Sequence, residues 1–399
     1  MTLRLFLACS TAVAGLGLCA TAAPVLAAPA HAAPLNVTVG CSHTAALISA
    51  VQQVNANPGG GTVNLAERCA YPFADDFEDS GNALPVITGR VTIRGEDSTL
   101  IRSSATPFRL LEVAASGQLS LQGITVAGGN ATASDGGGIL NRGTLRLEKS
   151  TVAGNQAEAA GGGIANVNGR TTLVHSRVLT NTVTNQNSAD AGGGGIYNSA
   201  DGTVELLGST VSGNAADQFG GGVYNAGTLK AKDSKIARNA ATNNQGGGGT
   251  YGGGVYNGGT ATLKETQIVG NWVGGRGGGI ENASTGSLEV HGGELGGNKA
   301  GGNGGGLDNA GRATLSRTKV FKNQAGDDGG GINNERGFDA AAPDPVLTLT
   351  KAVIKENRAG DQGGGVNNVA PATVQNEHSE ITGNKPSNCA GNVPDCSSH

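Results

Sequence analysis

The 399-residue sequence predicts an all-β solenoid, three short strands to a coil, each strand stacked on its counterpart in the coils above and below. Three observations carry that expectation. The phrase Gly-Gly-Gly-aliphatic-x-Asn recurs nine times, ending at Asn141, Asn166, Asn198, Asn225, Asn257, Asn282, Asn309, Asn334 and Asn368, at spacings of 25 to 34 residues. Periods of about 20 to 50 residues mark repeat architectures. Within a copy the apolar residues alternate with period two: Ile139 with Asn141, then Leu145 with Leu147, then a third short segment from Val152 to Asn155. No helix-period face survives between the glycine clusters, which removes leucine-rich, tetratricopeptide and ankyrin alternatives.

Taken in chain order, residues 1–33 read as a secretory leader. Arg4 supplies a positive start, residues 5–18 an apolar run, and Ala30-His31-Ala32 a small-residue cleavage motif. Leu18 stands before Cys19 where a lipid-anchored cysteine needs a small residue. No later stretch approaches the roughly 18 to 20 apolar residues of a membrane helix, so a secreted, extracellular chain without a membrane span is expected. Cys9 and Cys19 leave with the leader. The remaining Cys41, Cys69, Cys389 and Cys396 allow three pairings, and the sequence neighbours at each end are expected to join, Cys41 with Cys69 and Cys389 with Cys396, in an oxidising compartment.

Residues 34–83 are expected to form an N-terminal cap. Ser42 or Thr44 can cap a helix with Leu47, Ile48, Val51 and Val54 on one face, ending at Asn55 before Asn57-Pro58-Gly59. Residues 84–386 carry the coils, irregular at first (LPVITGRVTIRG, 84–95, and TLIRSSATPFRLLEV, 99–113), until Pro386 stops the pattern. Residues 387–399 close as a disulfide-clipped tail. About twelve coils at roughly 4.8 Å each make a rod about 58 Å long.

One coil cannot fold alone. About five inward aliphatics contribute roughly 1.5 to 3 kcal/mol each, while each ordered backbone residue costs about 1 to 2 kcal/mol. Stacking reverses the balance, because every strand then pairs on both sides and the apolar column becomes continuous. The glycine triplets, unfavourable by about 0.5 to 1 kcal/mol per residue against alanine, imply a corner with positive φ stacked tightly on the next. The repeated asparagines are expected to form a buried structural ladder, amide over amide. A second row, Asn155, Asn181, Asn214, Asn239, Asn271, Asn298, Asn323, Asn357 and Asn384, marks another corner.

The motifs GGGIxN, GxLxLxxS and VxxNxA, as in residues 136–157 and again in 193–215, resemble the repeats of secreted bacterial right-handed parallel β-helix proteins, in particular the polymorphic outer-membrane-protein type. Residues 41–71 are similar to the N-terminal caps of such proteins. The resemblance implies a single-stranded right-handed parallel β-helix of the pectin-lyase-like kind. It constrains function weakly, since that fold serves pectin-degrading enzymes and adhesins alike. Enzymes of the fold are similar in clustering several acidic residues on one sheet, whereas here the acids are scattered.

Composition excludes several classes of function. Twenty-seven basic against 31 acidic residues offer no field for nucleic acid or an anionic membrane. Six histidines, His31, His43, His175, His291, His378 and His399, include no HExxH and no close pair, and the GxGxxG matches precede no helix, so no metal and no cofactor is expected.

Candidate sites come from the x of each GGGIxN, expected to face outward: Leu140, Ala165, Tyr197, Tyr224, Tyr256, Glu281, Asp308, Asn333 and Asn367. Tyr197, Tyr224 and Tyr256 in register form a candidate stripe for polysaccharide or a cell-surface glycan, although stacked tyrosines also stabilise strands without any ligand. The insertions 182–192 and 240–251 are expected to wall a groove beside them. Glu281 and Asp308, about 5 Å apart on adjacent coils, suit a retaining glycosidase pair or a calcium site, or are ordinary charges on a solvated face. Arg276 and Asp328 fall near the same edge. The expectation is a non-enzymatic binding or structural protein; the alternative is a polysaccharide lyase or glycoside hydrolase using Glu281 and Asp308.

Overall fold

A computed structural model describes residues 32–184, 192–242, 249–337 and 341–397. The leader and the centres of both insertions therefore lie outside the described residues, as do His31 and His399. The described residues form an all-β parallel β-solenoid of about 13 turns with one α-helix near the N-terminus.

One coil shows the plan. Its strands are Ile139–Asn141, Thr144–Glu148, Thr151–Ala153 and Gln156–Ala157. The first belongs to an 11-stranded sheet (sheet 1), the second and third to a 23-stranded sheet (sheet 2), the fourth to an 8-stranded sheet (sheet 3). The two-residue fourth strand follows the corner asparagine and adds to the three expected segments. Every ladder among the described residues is parallel, with a register shift between Arg94 and Ser98 in an early coil, and through the repeats Ile139 lies on Ile164, Ile196, Val223 and Val255, while Leu147 lies on Leu173 and Leu206. These columns are wholly buried and form one continuous core.

Residues with positive φ recur at three corners of the repeating coils. One is the first glycine of the triplet, as at Gly136; one precedes a buried serine, as Lys149 precedes Ser150; one precedes the second asparagine row, as Gly154 precedes Asn155. At the third corner the residue need not be glycine. Thr180, Arg238, Lys322 and Glu356 adopt the same left-handed conformation, because a Cβ added at Gly154 meets nothing within 4 Å. The cost there is conformational only.

Both asparagine rows are buried ladders. In the first, Asn141 Nδ2 donates to Asn166 Oδ1 at 2.7 Å, and the pattern continues at 2.7 to 2.8 Å through Asn198, Asn225, Asn257, Asn282, Asn309, Asn334 and Asn368. In the second, each Oδ1 accepts from both the Nδ2 and the backbone N–H of the preceding asparagine, as Asn181 does from Asn155. A third, shorter ladder was not expected: Ser176, Ser209 and Ser234 each accept the backbone N–H of the preceding corner serine.

The ends are closed by different means. Helix α1, Thr44–Ala56, buries Leu47, Ala50, Val51 and Val54 against the first coils. The expected side-chain cap is not made: His43 occupies the N-cap without a side-chain bond, and Ser42 Oγ donates instead to Ala70 O. Asn55 lashes the helix end to the next coil through Val86 O, Thr88 N and Gly89 N. Cys41 is joined to Cys69, and Cys389 to Cys396. Among the described residues no helix is long and apolar enough to cross a membrane.

Candidate functional site

Sheet 1 carries the GGGIxN column on its outer face. Tyr197 pairs with Tyr224, Tyr224 with Tyr256, Tyr256 with Glu281, Glu281 with Asp308, and Asp308 with Asn333. This column is not solvated, and the expectation of an open, charged face is corrected. Glu281 and Asp308 are 6% and 3% exposed, and the three tyrosines are half-buried.

The reason is the first glycine of each triplet. Its positive φ folds the preceding residue back over the column, so that a Cβ at Gly304 would lie 2.5 Å from Asp308 Cβ and one at Gly277 would lie 2.7 Å from Glu281 N. The residue before each triplet thereby forms a second column, in which Phe219 bridges to Tyr251 and Tyr251 to Arg276. Phe219 stacks on Tyr251 with centroids 5.6 Å apart and meets Tyr256 edge-on at 5.1 Å. Beneath it Tyr197, Tyr224 and Tyr256 stack at 5.0 to 5.1 Å.

Where this roof meets the two carboxyls it leaves a cavity of about 240 Å³. Tyr256, Glu281 and Asp308 are its floor, Phe219, Tyr251 and Arg276 one wall, and Ala283, Ser284, Ala310 and Gly337 the other. Of the three tyrosines singled out in the sequence only Tyr256 lines it; Tyr197 and Tyr224 extend the stack away from it. Phe219 and the role of Tyr251 escaped the sequence reading. The signal was there, because the residue before each triplet recurs with the same period as the one inside it.

The two carboxyl residues lie directly opposite one another on adjacent coils and titrate as a pair. Burial, then the charge of Asp308, pushes the Glu281 carboxyl well above the usual range. Burial also raises Asp308, against the opposing pull of Asn333, Arg276 and Glu281. Asp308 Oδ1 accepts from Asn333 Nδ2 at 2.7 Å, and Asn333 Oδ1 accepts from Asn367 Nδ2 at 2.8 Å. Arg276 lies 3.7 Å from Glu335, which also accepts from Asn303 and Asn333. Glu281 Oε2 is buried without a hydrogen-bond partner among the described residues. Burial raises the phenols of Tyr251 and Tyr256 too, so both stay neutral. No group of three or more metal-ligating side chains converges among the described residues.

A pH dependence follows. The folded chain keeps the Glu281 proton at pH values where an unfolded glutamate, with a pKa of about 4.3, has released it. The folded state then binds more protons, so stability falls as pH rises through that window. Between about pH 5 and pH 8 the urea midpoint of the wild type is expected to drop relative to that of Glu281→Gln. Parallel profiles for the two proteins would contradict a protonated Glu281.

No protein-family model matches the chain, and no curated protein does. Among solved structures the chain is similar to pectate lyase Pel9A, with a TM-score of 0.45 and 12% identity over 87% of this chain and 76% of that one. At that identity the likeness concerns the path of the backbone and transfers no residue and no activity.

Proposed function

We propose that this is a secreted, non-enzymatic β-helix protein, its repeats of the polymorphic outer-membrane-protein type, which holds a polysaccharide or cell-surface glycan along the outer face of sheet 1. The observation that carries the reading is the cavity, where the rings of Phe219, Tyr251 and Tyr256 stand beside a buried carboxyl oxygen that lacks a donor. A sugar offers both complements, an apolar C–H face for the rings and hydroxyls for the polar atoms. The two disulfides accord with an oxidising, extracellular setting.

The enzymatic alternative meets a geometric obstacle. Retaining glycosidases hold their carboxyls about 5 to 5.5 Å apart and inverting ones about 6.5 to 9.5 Å, with the scissile bond between them. Glu281 and Asp308 are directly paired and 6% and 3% exposed, which leaves little access for a scissile bond between them.

Retention on immobilised polysaccharides, with reducing ends and unsaturated products assayed in the same samples, tests both readings. Retention without products is expected. Tyr256→Ser should weaken it roughly tenfold or more with unchanged far-ultraviolet dichroism, and Tyr197→Ser, at the far end of the stack, should weaken it less. Equal retention by Tyr256→Ser would remove the aromatic floor from the site, and the appearance of products would remove the non-enzymatic reading.

A further inference from the structure

The charges around the cavity narrow the class of ligand, on the premise that the cavity binds a glycan at all. Two carboxyls form its floor, and a third, Glu335, stands behind Arg276. Among the described residues the guanidinium of Arg276 is the one cationic group in the lining, and Glu335 at 3.7 Å already offsets its charge. Both floor carboxyls are buried, so water screens them little and a second negative charge placed beside them is strongly disfavoured. A neutral sugar ring brings no such charge and can lay its C–H face on the rings of Tyr256 and Phe219.

We propose that the cavity takes an uncharged hexose ring, packed on Tyr256 and Phe219, and that it rejects uronate rings. The buried carboxyl pair thus acts as a filter against acidic polysaccharides. It does so at some cost in stability, since one of its oxygens is buried without a partner.

The test is affinity electrophoresis of the full chain in gels containing a neutral galactan, glucan or mannan, or a polyuronate (polygalacturonate or alginate), at about pH 7 and fixed ionic strength. At least one neutral glycan is expected to bind about tenfold or more tightly than either polyuronate. In the double variant Glu281→Gln/Asp308→Asn, which keeps the shape and removes the charge, that gap is expected to close to about threefold or less, through gained affinity for the polyuronate. Dichroism confirms that the variant is folded; should it not fold, the wild-type ranking decides alone. Binding of a polyuronate as tight as that of every neutral glycan would overturn the proposal, as would an unchanged gap in the folded variant. Retention of none of these polymers would overturn the underlying glycan reading, a result distinct from a wrong preference.

Discussion

Asn271→Ala is expected to destabilise the rod by about 3 to 5 kcal/mol, the largest loss for removal of a single polar side chain. Asn271 is 1% exposed. Its Oδ1 accepts the backbone N–H and the Nδ2 of Asn239, and its Nδ2 donates to Ile236 O and to Asn298 Oδ1, all at 3.0 Å. Truncation takes the acceptor from the buried Asn239 N–H and one bond each from Asn239 Nδ2, Ile236 O and Asn298 Oδ1, and a buried group left unsatisfied costs about 1 to 3 kcal/mol. In a solenoid those bonds are also the coupling between neighbours, so the urea transition should broaden as well as shift. The exposed Gln267 in the same coil is the control: Gln267→Ala should change stability by about 0.5 kcal/mol or less. A midpoint for Asn271→Ala indistinguishable from that of Gln267→Ala would show that the ladder contributes nothing.

The second large effect is expected at Gly221. A Cβ there would lie 2.2 Å from Ala240 O and 2.4 Å from Ala240 C, both backbone atoms held in their own ladder. No rotamer relieves the clash, so Gly221→Ala should cost about 3 kcal/mol or more. Gly154→Ala is the counterpart. Gly154 has φ +62 and open space around it, so only the left-handed backbone is disfavoured, by about 1 to 2 kcal/mol. Thermal unfolding of the two variants should rank Gly221→Ala well below Gly154→Ala. The reverse order would mean that glycine serves here for its torsion rather than for the room it leaves between stacked backbones.

The columns were legible in the sequence because a parallel, in-register stack turns periodicity directly into contact. Each residue of the GGGIxN motif lies on its namesake one repeat later, even where the spacing stretches to 32 residues between Asn166 and Asn198. The inward aliphatics could be assigned from alternation alone, and so could the residues that stack as tyrosines. The N-cap was misread because Ser42, a good capping residue by type, is drawn off to the Ala70 carbonyl beside the disulfide, a contact that no local pattern encodes.

The site divided differently. Which residues share a column was written in the repeat: Tyr256, Glu281 and Asp308 follow one another in it, as do Phe219, Tyr251 and Arg276 in the column before the triplets. That the second column folds over the first depends on the direction in which a positive-φ glycine sends the chain, and alternation is blind to that direction. Hence Glu281 and Asp308, which read as solvated charges, lie buried under a roof.

By itself the sequence determined the stack, its register and its buried amide ladders, because these follow from period and residue type, and both are local quantities. The tertiary structure alone decided which outward residues are covered, that the cover leaves a cavity at Tyr256, Glu281 and Asp308, and that one carboxyl oxygen within it lacks a partner. Burial is a property of what comes to lie above a residue. Here that is set by backbone torsions at Gly220, Gly252 and Gly277, which turn Phe219, Tyr251 and Arg276 back across the face of sheet 1.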